Sequence, residues 1–228
     1  MKTIGDREFY STLEEVIDPA HTAVLVIDQQ NDFCHPRGYY AEVMKLDVSM
    51  TQGMNDRINQ LTRAARSHGV MVIFTQFFIA KGFTSDSPMW LALHAGAGLK
   101  SLEQERVYTV EGTWGAELYE KMEVEDGDHV IKKLRGSAFV RTPLEDLLKK
   151  NAIETVIIAG QVTEGCVEST IRAARDADYF TVLAKDVIGS TSKERHDRTM
   201  SAWLNRTYCP DTKEIIEAWS RAKASSAG

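Results

Sequence analysis

Three residues in this chain could do chemistry together, although the sequence scatters them: Asp28 in "VLVIDQQNDF", Lys133 in "VIKKLRGSAF" and Cys166 in "TVIIAGQVTEGCVESTIRAA". A cysteine attacks a carbonyl as thiolate, and near neutral pH the free group is mostly protonated. The start of a helix offers unpaired N–H groups and partial positive charge, which favour that anion. A nearby lysine adds a full positive charge. An aspartate within hydrogen-bond reach can take the thiol proton and pass it to a leaving group. Taken singly, each residue has a duller reading: a strand-end aspartate caps a turn, a lysine there is solvated, and an isolated cysteine is a small buried hydrophobe. Taken together, each meets a need of the other two.

The elements that must bring them together are short apolar runs rich in β-branched residues, at 22–28, 70–76, 129–133, 155–160 and 179–186. Most are continuous rather than alternating, as in parallel strands covered on both faces. Helical segments separate them. Met54, Ile58, Leu61 and Ala65 share one face of 53–68, with Gly69 as the stop. The segment 142–150 has Thr142 as N-cap and Pro143 at the first helical position. Val167, Thr170, Ile171 and Ala174 share a face after Cys166. Further helices are expected over 193–204 and 212–223. The alternation predicts an α/β fold, a doubly wound, mainly parallel sheet of about six strands with helices on both faces, the sixth strand falling near Arg206–Cys209. In such sheets ligands bind beyond the carboxyl ends of the strands, where Asp28, Lys133 and Cys166 all emerge. Residues 77–115, long and irregular, form either a lid or pocket wall or a plain surface excursion.

Composition sets the class. The 228 residues suit one domain, 1–228, with 1–20 as an N-terminal extension. A net charge of −6 argues against non-specific attachment to nucleic acid. No run of about twenty apolar residues could span a membrane. The opening "MKTIGDREFYSTLEEVIDPAHTAV" lacks the basic-then-apolar pattern of a signal peptide. Cys34, Cys166 and Cys209 are odd in number with no CxxC pair, so no disulfide framework is expected and the reducing cytoplasm is the simplest compartment. Cys34 and Cys209 read as packing residues.

With those motifs in place, the sequence resembles the isochorismatase-like cysteine hydrolases. The matching pieces are "VLVIDQQNDFC", "IKKLRGSAF" followed by "TPLEDLL", and "AGQVTEGCVESTIRAARDADY", and the resemblance covers roughly residues 20–192. It implies a Rossmann-like hydrolase fold, with Cys166 as nucleophile, Asp28 as proton carrier and Lys133 as the cation tuning both. It also implies a cis peptide at Gln161–Val162, with the backbone N–H groups of Val162 and Cys166 facing a developing oxyanion, and a homo-oligomer, dimer or tetramer. Nicotinamidases of this group typically carry an Asp-x-His metal motif after the first strand and a histidine after the second. Here those regions read "YYAEVMKLDVSM" and "TQFFIAKGF", so no metal and no cofactor is expected. His35 and His94 read as loop residues rather than ligands.

The stretch "DFCHPRGYYAE" is similar to that of biuret and N-carbamoylsarcosine hydrolases, and the implied branch includes triuret and ureidoacrylate hydrolases. The expected reaction is cleavage of a C–N bond in a small ureido or carbamoyl substrate, through a thioester-type acyl-enzyme with ammonia release. Such a substrate needs polar partners, for which Arg37, Arg135 and Gln161 are candidates, and apolar walls, for which Phe33, Tyr39, Tyr40 and Trp114 are candidates. Gln161 could equally be a turn residue, Arg135 a surface residue, and Tyr39 or Tyr40 a subunit contact. Two other readings stay open: a metal-free nicotinamidase-like carboxamidase, and a catalytically silent oligomeric scaffold.

Overall fold

The computed structural model describes residues 1–96 and 107–226. The chain opens with a hairpin, β1 (Lys2–Ile4) against β2 (Arg7–Phe9), and a one-turn helix, α1 (Leu13–Val16), closed by a reciprocal capping box between Thr12 and Glu15. Strand β3 (Thr22–Ile27) then enters the core, followed by the short helices α2 (Asn31–Cys34), α3 (Tyr39–Glu42) and α4 (Ser49–Gly53) and the longer α5 (Asn55–Ser67). Next come β4 (Met71–Phe77), α6 (Pro88–Gly96), β5 (His129–Lys133) and α7 (Leu144–Lys150). The chain closes with β6 (Thr155–Gln161), α8 (Glu168–Asp176), β7 (Phe180–Gly189), α9 (Lys193–Trp203) and α10 (Thr212–Ser226).

The order β5-β4-β3-β6-β7 makes one wholly parallel sheet. From β3 the chain moves outward to β4 and β5, then returns to place β6 on the other side of β3. The winding therefore reverses between β3 and β6, which opens a crevice beyond their carboxyl ends. Every residue of β3 and β6 is buried, which is why both read as unbroken apolar runs. Their alternate side chains feed two cores. Val24, Val26, Phe74 and Ile157 pack against Ile58 and Leu61 of α5 and Trp219 of α10, whereas Leu25, Ile27, Ile73 and Ile158 pack against Leu144 of α7, Ile171 of α8 and Trp203 of α9. Each such aliphatic side chain contributes roughly 1.5–3 kcal/mol by leaving water.

Among the described residues the parallel sheet has five strands, not six. The segment expected to add one touches β7 through a single bridge, Val182 to Tyr208. Main-chain bonds run from the Leu183 N–H to the Tyr208 carbonyl and from the Lys185 N–H to the Pro210 carbonyl, but Pro210 has no N–H to return, and the ladder goes no further. No described helix is long and apolar enough to cross a membrane.

Candidate active site

Asp28 is the residue immediately after β3 and sits in the left-handed region, φ 49°. That conformation costs a non-glycine residue on the order of 1–3 kcal/mol unless its surroundings enforce it. Here they do. Thr75, in the middle of β4, accepts the Asp28 N–H at 3.2 Å and donates its hydroxyl to Oδ1 at 2.7 Å. From the end of β5, Lys133 places Nζ 2.7 Å from Oδ2. It also donates to the carbonyls of Arg135 (3.0 Å) and Gly136 (2.9 Å). The Phe77 ring lies beneath the nitrogen at 5.1 Å. Both partners of this ion pair are 1% exposed. Burial works against the lysine's charge, but the facing Asp28 carboxylate and the Cys166 sulfur outweigh it and raise the Lys133 pKa.

Strand β6 delivers the third group. The Gln161–Val162 peptide bond is cis. A wide turn, Thr163–Val167, follows and runs into α8, with Gly165 supplying the irregular step at φ −114°, ψ −105°. Thr170, one turn into α8, donates to the Cys166 carbonyl at 2.7 Å and accepts from the Ala138 N–H at 3.0 Å, tying the cysteine turn to the loop that follows Lys133. The half-buried Cys166 thiol faces the Asp28–Lys133 pair, near enough for both charges to act on its proton.

The charge balance at the sulfur differs from the sequence expectation. A helix start and a lysine were expected to hold a thiolate. Instead burial, reinforced by the Asp28 carboxylate, pushes the thiol up to about 12 against the opposing pull of Lys133. Cys166 precedes the first regular turn of α8, and the lysine's charge is already engaged by Asp28. The group therefore rests as a thiol with a carboxylate placed to take its proton.

The wall over these groups is aromatic. Phe33 packs against Tyr40 (ring centroids 4.7 Å apart) and Tyr108 (6.0 Å), and Phe77 against Tyr108 (6.1 Å). Burial raises the Tyr40 and Tyr108 hydroxyl pKa values, and the nearby Cys166 sulfur adds to both. Phe83 and Val107 complete this cluster, so the described parts of 77–115 form a wall beside the site; residues 97–106 of that stretch lie outside the described residues. The arm is anchored by Asp32, which accepts the N–H groups of Tyr39 (3.0 Å) and Thr109 (2.7 Å).

The candidate substrate-binding residues divide. Phe33 and Tyr40 belong to the aromatic wall, and Tyr39 is buried behind it, 5.5 Å from the Tyr108 ring. Arg135 follows Lys133 closely, stacks on Trp90 at 5.1 Å and donates to the carbonyls of Leu134 (2.6 Å) and Ser85 (3.1 Å). Arg37 and Trp114 are exposed and stack on each other at 5.4 Å. Gln161 requires a correction. It is 1% exposed, and its amide nitrogen points back into the protein at the Asp28 carbonyl (3.2 Å), Gln29 Oε1 (2.8 Å) and Cys34 Sγ (2.7 Å), so it does not face a substrate. His35 lies 3.6 Å from Glu120 and against the Trp114 ring; the side chain of His94 is outside the described residues. Among the described residues no three His, Cys, Asp or Glu side chains converge as a metal site would require.

Sequence reasoning missed Thr75, Tyr108, Trp90 and Asp32. Thr75 carried one available signal, a lone hydroxyl inside an otherwise apolar strand, "VMVIFTQ".

The relatives of this chain are named as hydrolases. The isochorismatase domain family matches residues 22–207. The ureidoacrylate amidohydrolase RutB of Methylorubrum extorquens is 33% identical over 181 residues, covering 74% of this chain and 70% of that protein. The protein of the same name from an Enterobacter species is 32% identical over 181 residues, covering 77% and 78%. Among solved structures, a cysteine hydrolase from Pseudomonas syringae pv. phaseolicola superposes with a TM-score of 0.78 at 23% identity, covering 91% of this chain and 96% of that one. The nicotinamidase PncA of Bacillus subtilis gives 0.66 at 24% identity, covering 84% and 100%. These two likenesses establish the fold alone. The chain belongs to the isochorismatase family, and within it the protein is a hydrolase.

Proposed function

We propose that the protein is a cysteine-dependent amidohydrolase that cleaves a C–N bond of a small ureido or carbamoyl compound. One observation carries this reading: a carboxylate and an ammonium group, both buried, are paired at 2.7 Å beside a partly accessible thiol whose titration both of them shift. A structural cysteine gains nothing from two desolvated charges beside it. A nucleophile needs somewhere to send its proton.

In the proposed reaction Cys166 Sγ bonds to the substrate carbonyl carbon as its proton passes to Asp28. The carbonyl π pair moves onto oxygen, and the backbone N–H groups of Val162 and Cys166 hold the resulting oxyanion. Collapse breaks the C–N bond. Asp28 returns the proton to the departing nitrogen, which leaves as ammonia or an amine. The thioester then takes up water, whose proton moves through Asp28, and releases the acid and the free thiol. Lys133 keeps the carboxylate in place throughout and limits the charge that accumulates around it.

The substrate class is supported by the relatives of about one-third identity that carry the name ureidoacrylate amidohydrolase. The wall of Tyr40, Tyr108 and Phe33 suits a small planar group such as a ureide. Ammonia release measured with biuret, triuret, ureidoacrylate, N-carbamoylsarcosine and nicotinamide tests the proposal. Turnover concentrated on the ureido and carbamoyl compounds supports it. Turnover confined to nicotinamide, or found with none of the five, overturns it.

A further inference from the structure

Behind the crevice lies a closed ring of polar side chains, all buried except the half-buried Gln52, that the proposed reaction does not use. Cys34 Sγ donates to Gln29 Oε1 at 2.9 Å, Gln29 Nε2 to Asn55 Oδ1 at 3.1 Å, Asn55 Nδ2 to the Gln52 carbonyl at 3.0 Å, and Gln52 Nε2 to the Cys34 carbonyl at 2.8 Å. The circuit joins α2, α4 and α5 to the end of β3. Gln29 and Cys34 are 0% exposed and Asn55 is 2% exposed. Polar groups this deep are costly unless each finds a partner, and satisfied networks hold a single arrangement.

Gln161 closes this ring onto the site. Its Nε2 lies 2.8 Å from Gln29 Oε1, 2.7 Å from Cys34 Sγ and 3.2 Å from the main-chain carbonyl of Asp28. Gln161 is the last residue of β6, directly before Val162, and Asp28 directly follows β3. The two strand ends are otherwise held by the β3–β6 ladder, whose last pair is Ile27 with Gly160. Beyond that pair, the Gln161 side chain provides the hydrogen bond that crosses from β6 to the Asp28 backbone. Asp28 needs such a restraint, because its φ of 49° must be enforced from outside. Thr75 grips its N–H and one carboxylate oxygen; the carbonyl is shared by the Gln30 N–H at 2.9 Å, a local contact, and Gln161, the contact that reaches it from β6.

We propose that Gln161 is a positioning residue: anchored by the buried Cys34–Gln29 pair, it fixes the left-handed backbone of Asp28 and so aims the carboxylate at the Cys166 sulfur. It makes no hydrogen bond to the Cys166 sulfur, and its effect passes through Asp28. The inference rests on the proposed role of Asp28, so its test includes a readout that needs no substrate.

That test compares wild type with Gln161→Met, which keeps the length and volume but removes the amide donor. With a turned-over ureido substrate, kcat falls about 10-fold or more while KM stays within about 3-fold, because orientation rather than binding is lost. In parallel, the pH dependence of Cys166 carbamidomethylation by iodoacetamide is followed by peptide mass spectrometry. A carboxylate that swings away raises the thiol pKa less, so the alkylation midpoint moves to lower pH, in the same direction as in Asp28→Asn. A second pair guards against a folding artefact: Cys34→Ser, which preserves a donor and acceptor, loses less kcat than Cys34→Val. Unchanged kcat and an unchanged alkylation midpoint in folded Gln161→Met overturn the inference. A wild-type protein that turns over no ureide, with the midpoint still shifted by Gln161→Met, overturns the substrate reading and leaves this inference standing.

Discussion

Lys133 Nζ stands 2.7 Å from Asp28 Oδ2 with both side chains shut off from water, and it also donates to the carbonyls of Arg135 and Gly136. Such a pair is expensive to desolvate and more expensive to break. Asp28→Asn and Lys133→Met each strand one buried charge, and each should cost about 3–5 kcal/mol of stability in urea unfolding. Each should also lower turnover by about a thousandfold, the scale of a lost general acid–base. The double variant Asp28→Leu/Lys133→Met should recover much of the stability and none of the activity. A double variant no more stable than the singles would show that the two charges do not compensate each other.

Thr75 is the next support. Thr75→Val preserves shape but removes the donor to Asp28 Oδ1 and the acceptor for its N–H. A loss of about 1–3 kcal/mol is expected from the unsatisfied buried groups. The carboxylate should also wander, lowering kcat about 10-fold with little change in KM, as for a loss of orientation. Steady-state kinetics beside thermal melts separate the two effects.

The raised thiol pKa gives a pH signature with a definite sign. Because the folded state holds the Cys166 proton more tightly than the unfolded chain, this group's stabilisation is complete below the ordinary thiol pKa near 9 and is lost as pH climbs toward about 12. Wild type should therefore lose more stability between pH 9 and pH 11 than Cys166→Ala does. Iodoacetamide labelling of Cys166 should keep accelerating above pH 9 instead of levelling off. In Asp28→Asn the neighbouring negative charge is gone while Lys133 remains, so labelling should become faster at pH 8–9 as turnover collapses. Slower labelling in that variant would contradict the assigned electrostatics.

Gly160 tests the closeness of the two strand ends. A Cβ there would lie 2.1 Å from the Ile27 carbonyl oxygen and 2.5 Å from its nitrogen, both main-chain atoms, and the residue's φ is +107°. Neither contact can be relieved by turning a side chain. Gly160→Ala should lose at least about 3 kcal/mol or fail to fold, beyond the usual range for a single substitution. A melting temperature within a few degrees of wild type would mean that the strands can part without penalty.

These sites also show what the sequence could convey. Asp28, Lys133 and Cys166 were legible because continuous apolar runs mark parallel strands, and parallel strands all end on one edge. The winding reversal between β3 and β6 was not spelled out by any local signal, since strand order depends on which helix packs on which face. The sixth strand was over-read: the segment around Tyr208 has strand-like residues and one bridge to β7, but Pro210 follows with no N–H to extend the ladder. Gln161 was placed in the pocket for its polarity. Its inward direction follows from the strand's alternation at its last residue and from the polar ring that receives it, and that ring is assembled from four separate segments. The electrostatic balance at the thiol was not legible for a related reason. Spacing can put a helix start beside a cysteine, but only packing decides how far burial and a committed lysine offset it.

The central claim is that the sulfur of Cys166 forms a covalent bond to substrate carbon. Intact-protein mass spectrometry of quenched wild type during turnover of a ureido substrate tests it most directly. The expected result is an adduct whose mass equals the acyl fragment, mapped by peptide analysis to Cys166 and absent from Cys166→Ala, which releases no ammonia above background. Ammonia release by Cys166→Ala at the wild-type rate, or an acyl group mapped to any other residue, would contradict the account.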